Sequence, residues 1–360
     1  MNKSASKVWL RVPLFVTLAV LTSGVNANVC TWDGSTGDWF DGAKWTNGVP
    51  QPGDQAIINT GAVLLTNQTA VLGSFTMNGG TLTCSNWTTK IAAQDVWIMG
   101  NAQLTLPAAY TNNQMSNRVW IACTNLFLDT AARIDAEGKG YAAVSNAAGN
   151  GPGAGLSALG GGGYGGRGSD RSSIYGGLPY GSLMAPDLPG SAGHSDSDYD
   201  GGDGGGAVLI EAPAGNVTIN GVITASGSAT AGTPPYYARN GSGGSVLITC
   251  LAFAGTNGAV MANAGLTGHQ SYGGGGRIAI LYDENVQIGM PKPSVLFSTA
   301  KGSTANFNTR NTQHDLGTIY FPDTALLDAT WLPHTGQIWM AGASWNVNNL
   351  TVSNGWIRFP

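Results

Sequence analysis

Charged side chains are scarce in this chain: Asp, Glu, Lys and Arg make up 10% of its 360 residues, against roughly 25% in an ordinary soluble domain. The 16 basic residues are outnumbered by 20 acidic ones, for a net charge of -4, which excludes a nucleic-acid binder that works through a basic footprint. Glutamate occurs only at Glu137, Glu211 and Glu284, a thin supply for polysaccharide hydrolysis by two placed carboxylates. His194, His269, His314 and His334 are isolated, and there is no His-Glu-x-x-His, Gly-x-Ser-x-Gly or Gly-Lys-Ser/Thr motif, so the sequence nominates no catalytic residue. Cys30, Cys84, Cys123 and Cys250 include no Cys-x-x-Cys pair, and zinc is unsupported. No apolar run after the first 27 residues approaches the roughly 20 residues of a membrane span, and no long pattern of period 3.6 argues for helices.

The N-terminus carries Lys3, Lys7 and Arg11, then an apolar run from Leu14 to Leu21, then Val25-Asn26-Ala27. This is a secretory signal with cleavage expected after Ala27. Loss of those three basic residues takes the net charge from -4 to -7. The mature chain is expected to be secreted or at the cell surface, with no transmembrane segment.

A triplet of apolar positions recurs: Phe75-Thr76-Met77, Val96-Trp97-Ile98, Val119-Trp120-Ile121, Val208-Leu209-Ile210, Val246-Leu247-Ile248, Ile278-Ala279-Ile280, Ile319-Tyr320-Phe321 and Ile338-Trp339-Met340. A second segment often follows, as in Leu104-Thr105-Leu106 and Leu126-Phe127-Leu128, and then a third that ends in glycine, as in Ile134 to Gly138 and Ile223 to Gly227. Units recurring near 20 residues make a solenoid whose turns support one another. Three short strands per coil predict an all-β right-handed parallel β-helix, with alternate side chains inside and outside.

The largest gap between triplets holds the glycine-rich stretch, 23 Gly among the 69 residues from Gly138 to Gly206. Gly160, Gly162 and Gly165 fit Gly-x-Gly-x-x-Gly, but they lack the strand and helix that give that motif its meaning. A flexible linker is the simpler alternative. The recurrence of Tyr141, Tyr164, Tyr175 and Tyr180 favours a compact flap on the solenoid, for which bundled polyglycine helices are one form.

Trp32-Asp33-Gly34-Ser35-Thr36-Gly37-Asp38-Trp39, then Trp45, then Pro50-Gln51-Pro52-Gly53-Asp54, precede the first coil. Together with the Gly-Gly-Ser-Val-Leu-Ile-Thr and Gly-Arg-Ile-Ala-Ile units, they make the chain resemble bacterial exported and cell-surface right-handed parallel β-helix proteins with Gly-rich segments, of autotransporter-like or adhesin-like type. That resemblance implies architecture and export and carries over no catalytic residue. The expected organisation is a signal peptide at 1–27, a Trp-rich capping module at 28–62, first coils at 63–137, a Gly-rich insertion at 138–206 and further coils at 207–360, truncated at the C-terminus or without a normal cap.

Two groups stand out as candidate sites. Asp196, Asp198, Asp200 and Asp203 with Gly201 and Gly202 match the start of a calcium loop, but Ala207 stands where the twelfth-position carboxylate belongs and Glu211 is displaced; a solvated acidic turn competes. Calcium is the single cofactor under consideration, with no cofactor as the other reading. The middle residues of the triplets, Trp97, Trp120, Leu209, Leu247, Ala279, Tyr320 and Trp339, are apolar yet expected outside. They are either covered by the Gly-rich flap or form a ligand-binding stripe of Trp97, Trp120, Tyr320 and Trp339.

Four cysteines in an exported chain allow three pairings. Cys123 and Cys250 follow equivalent triplets and could share a column, while buried thiols are the alternative. Arg239 or Arg277 as a lyase base competes with a strand-end charge. The expected function is a structural or adhesive extracellular β-solenoid without catalysis, with extracellular polysaccharide or surface proteins as partners; the alternative is a polysaccharide-binding or polysaccharide-cleaving β-helix.

Overall fold

The computed structural model describes residues 27–111, 114–156, 160–169, 176–195, 200–229, 239–265, 272–302, 314–327, 334–341 and 355–358. The strands are numbered in chain order. One sheet holds β1 (Val29–Thr31), β3 (Gln55–Ile58), β5 (Val71–Met77), β7 (Ile91–Ile98), β9 (Val119–Leu128), β11 (Ala207–Ile219), β13 (Ser245–Ala254), β15 (Arg277–Leu281), β17 (Thr318–Phe321), β18 (Gln337–Met340) and β19 (Trp356–Arg358). The other holds β2 (Thr36–Asp38), β4 (Ala62–Leu65), β6 (Thr81–Cys84), β8 (Gln103–Thr105), β10 (Arg133–Asp135), β12 (Val222–Thr224), β14 (Thr256–Met261) and β16 (Ser294–Ser298). Every pairing between these strands is parallel.

From β1 to β16 the chain alternates between the sheets, so each circuit advances both by one strand. The protein is therefore all-β with two parallel sheets, as a β-solenoid requires. The α-helix α1 (Glu284–Gln287) is a single turn, and among the described residues no helix is long and apolar enough to cross a membrane.

The core follows from register. Ala56, Phe75, Val96, Leu126, Val217 and Phe253 align in one buried column, and Val63, Leu82, Leu104, Ile134, Ile223, Val260 and Phe297 form another on the facing sheet. Apolar residues stacked at strand spacing exclude water along these aligned strands.

Two sequence expectations change here. From β1 to β16 each circuit carries two described strands rather than three, and the first and second apolar segments are continuous within β9 and β11. Register shifts between Glu211 and Val217 let the ladder bend and continue. The triplet Val96-Trp97-Ile98 is also not equivalent to Val119-Trp120-Ile121; it aligns with Leu126-Phe127-Leu128, while Ile121 aligns with Ile91. A long strand offers two apolar triplets, and the hydrogen-bond ladder decides which one is matched.

The start of the first sheet is closed locally. Thr46 donates its backbone N–H to Thr31 O at 3.0 Å, and the Asn47 side chain donates to Val29 O at 2.8 Å, covering the open edge of β1. Trp39 and Trp45 pack edge-on at 4.8 Å, and Trp45 donates from Nε1 to Trp39 O at 2.7 Å.

Between β10 and β11 the described part of the Gly-rich insertion contains no strand, yet it is densely hydrogen-bonded. Along residues 190–195 the donors take turns: Gly190 and Gly193 donate to Gly205 and Gly202, Ala192 and Ser195 to Asn150 and Ala147, and His194 to Gly160. Gly202 and Gly205 likewise both reach one segment, at Arg239 and Ser242. The same neighbour returns every third residue, the periodicity of an extended polyproline-II-type helix with roughly three residues per turn. Such helices can bond to neighbours on several sides, whereas a strand has two. Glycine is required where they touch: a Cβ on Gly204 would lie 1.8 Å from Gly190 O.

Candidate functional site

Outside the core, one column crosses six strands of the first sheet: Trp120, Leu209, Leu247, Ala279, Tyr320 and Trp339. Leu247, Ala279 and Tyr320 are buried, and Leu183 of the Gly-rich insertion packs against this cluster with Leu209, Leu281 and Trp339. The insertion therefore covers the C-terminal part of the apolar column. Trp97 belongs to a different column, aligned with Thr76 and Phe127; it is 42% exposed, with its ring 5.9 Å from that of Phe127. The sequence grouped Trp97, Trp120, Tyr320 and Trp339 as one stripe. The register places Trp97 apart from the other three.

At the N-terminal end of the column, half-buried Trp120 is held on several sides. Its Nε1 donates to Glu211 Oε2 at 2.6 Å. The Arg118 guanidinium lies 4.2 Å from the Trp120 ring centre and Lys90 Nζ 4.8 Å from it, both within the range of cation–π attraction. Arg118 also donates from Nε to Trp87 O at 2.8 Å and lies 4.9 Å from the Trp87 ring. Burial pulls the Arg118 pKa down, and the negative charges of Asp187 and Glu211 oppose that shift without cancelling it.

Lys90 and Glu211 also face a groove of about 570 Å³, whose walls include Gln94, Cys123, Thr124 and Thr249. The volume is within the range of small-ligand sites. The groove offers an ammonium donor, a carboxylate acceptor, an amide and two hydroxyls beside apolar Ala92, Ala122 and Val71. That mixture suits a ligand with many hydroxyls and small apolar patches, since each buried polar group can find a partner. Glu211 is the one carboxylate among the lining residues described.

The remaining sequence candidates are dispersed. Asp196, Asp198 and His269 lie outside the described residues. Asp200 is exposed, whereas half-buried Asp203 accepts from Ala143 N at 2.8 Å, and burial raises its pKa despite that bond and nearby Lys139. Among the described residues, no group of three or more His, Cys, Asp or Glu is placed to hold a metal ion.

Arg277 is buried and donates to Tyr180 O and Thr318 Oγ1 at 2.9 and 3.0 Å, tying insertion to sheet. Arg239 is 1% exposed, and its carbonyl accepts from Gly202. Neither arginine lines the groove. His314 and His334 serve the backbone, with His314 Nε2 2.9 Å from Gly302 O and His334 Nδ1 accepting from Phe297 N at 3.2 Å.

All four cysteines are free thiols. Cys123 aligns with Ala93 and Cys250 with Ala212, on β9 and β13, and β11 runs between those strands. Two strand spacings, roughly 9–10 Å, exceed the reach of a disulfide, about 7 Å between Cα atoms.

Lys90, Arg118 and Trp87 were missed from sequence. Lys90 precedes Ile91, the register partner of Ile121 beside Trp120, so the signal that would have found it is the ladder register. No protein-family model, curated protein or solved structure matches the chain.

Proposed function

We propose that this chain is an exported or cell-surface right-handed parallel β-helix that acts in adhesion without catalysis and holds extracellular polysaccharide in the groove beside Trp120. The domain organisation proposed is a signal peptide at 1–27, a capping module at 28–62, coils on either side, and the 138–206 insertion as a built-in cover. One observation carries the reading: the outer apolar column is covered by the insertion around Leu183 and ends at half-buried Trp120, whose neighbours Lys90 and Glu211 line an open groove. An aromatic edge flanked by a carboxylate and an ammonium can meet both the apolar faces and the hydroxyls of sugars.

The test is retention of the mature chain on immobilised neutral and acidic polysaccharides, with mass spectrometry of the soluble fraction. Retention that is weakened by Trp120→Ala, with no oligosaccharides released, is the expected result. Defined oligosaccharides would instead establish a polysaccharide-cleaving β-helix. Absence of retention across the panel would refute sugar-mediated adhesion.

A further inference from the structure

Asp54 is a carboxylate buried to 2% exposure at the turn that leads into β3. Its Oδ2 accepts from Gln51 N at 2.8 Å and lies 3.9 Å from Cys30 Sγ, and its Oδ1 accepts from the backbone nitrogen of Asn28 at 2.8 Å. Asn28 is held from its other side as well, because its carbonyl accepts from Gln55 N at 2.8 Å. Among the described residues the ion pairs join Lys44 to Asp33 and Arg133 to Asp135 and Glu137. Asp54 therefore has backbone donors and a thiol around it but no cation.

The nitrogen on Asp54 Oδ1 is the one that the expected cleavage after Ala27 would free. We propose that removal of the leader completes this site, the new α-ammonium of Asn28 becoming the counter-ion of buried Asp54. The inference rests on the export reading given above. In the step itself, water attacks the Ala27 carbonyl and the C–N bond to Asn28 breaks. Ala27 leaves as a carboxylate and Asn28 keeps its nitrogen as –NH₃⁺, so that one water molecule accounts for every atom and the charges sum to zero. Asn28 needs no movement, since its nitrogen is already at hydrogen-bond distance and its carbonyl is already bound. A neutral amide donor becomes a charged one on an exposed residue beside a buried carboxylate, where the charge-assisted bond is stronger than the neutral one but partly screened by water. Leader removal would thus lock the first strand, β1, which begins one residue later at Val29. The site is one for an α-amino terminus, and any group that caps or extends that amine would oppose it.

The experiment compares three purified chains that all end at Pro360. One begins at Asn28, one begins at Asn28 with its α-amine acetylated, and one begins at Asn26. In urea unfolding, the chain with the free Asn28 amine should have an unfolding constant a few-fold smaller than the other two. In an Asp54→Asn background that gap should close. Equal stabilities of the free and acetylated chains would overturn the proposal, and this comparison decides even if Asp54→Asn does not fold. Separately, the mass of the exported chain should place its first residue at Asn28. A different first residue, or a retained leader, would refute the export reading while leaving the ion-pair comparison to be judged on its own.

Discussion

Arg277 Nε donates to the carbonyl of Tyr180 at 2.9 Å, joining a sheet strand to a segment 97 residues earlier in the chain. The same guanidinium bonds Thr318 Oγ1 on the neighbouring strand and lies 5.5 Å from the centre of the buried Tyr164 ring. The insertion is thus fastened to the first sheet by a buried cation, whose pKa burial lowers although Tyr164 and Tyr180 raise it. Arg277→Met should destabilise the protein by roughly 1–3 kcal/mol, because it strands one buried and one half-buried acceptor. Hydrogen exchange should show residues 176–195 losing protection first; uniform loss across both sheets would mean that the clamp is not local.

Gly204→Ala is expected to disrupt the insertion, since the added Cβ would meet Gly190 O at 1.8 Å and backbone cannot yield as a side chain tip can. Gly289→Ala is the matched control, with its nearest neighbour, Val286 O, at 3.6 Å. Limited proteolysis should cut the Gly204 variant within the insertion and leave the Gly289 variant as resistant as the parent. Equal resistance of the two variants would contradict the close-packed bundle.

Glu211→Gln keeps the shape of the groove but removes the charge facing Trp120 and Lys90. Sugar retention should fall several-fold and Trp120→Ala should abolish most of it, as expected when about 1–3 kcal/mol of contact is removed. Trp97→Ala, in a separate column, should leave retention unchanged. A larger effect at Trp97 than at Trp120 would move the binding surface away from the groove.

The thiols should be inert in the native protein. Burial pushes the Cys84 pKa up to about 12, and the same cause, with Asp95 adding to it at Cys123, pushes Cys123 and Cys250 to about 12. At pH 8 few of these groups are thiolates. Alkylation followed by mass measurement should add nothing to Cys84 until denaturant is present, and reductant should leave the native mass unchanged.

Acid should expose the role of Asp54. Burial alone would raise its pKa, but the N–H groups of Gln51 and Asn28 outweigh that, and the folded value lies below the ordinary one. A carboxyl lowered on folding stabilises above its unfolded pKa of about 3.9 and loses that contribution as pH falls through the folded value. Denaturation midpoints measured from pH 5 downward should drop for the parent, and this component should be missing in Asp54→Asn. Parallel curves would show that the carboxyl is not linked to folding.

The sequence alone made an all-β chain of short parallel strands legible, because apolar alternation and a recurring triplet are local properties of each strand. The Gly-rich stretch was also legible as a packed element, since tyrosines set among glycines imply burial. Tertiary structure decided what local pattern leaves free. Register put Trp97 opposite Phe127 instead of in line with Trp120, and it merged two apolar segments into one strand. It also separated Cys123 from Cys250 by a strand and brought Lys90, Arg118 and Glu211 to a single indole. A side chain's face follows from its neighbours in sequence, but its partner follows from the hydrogen-bond ladder, and in a parallel sheet that ladder joins residues a full circuit apart.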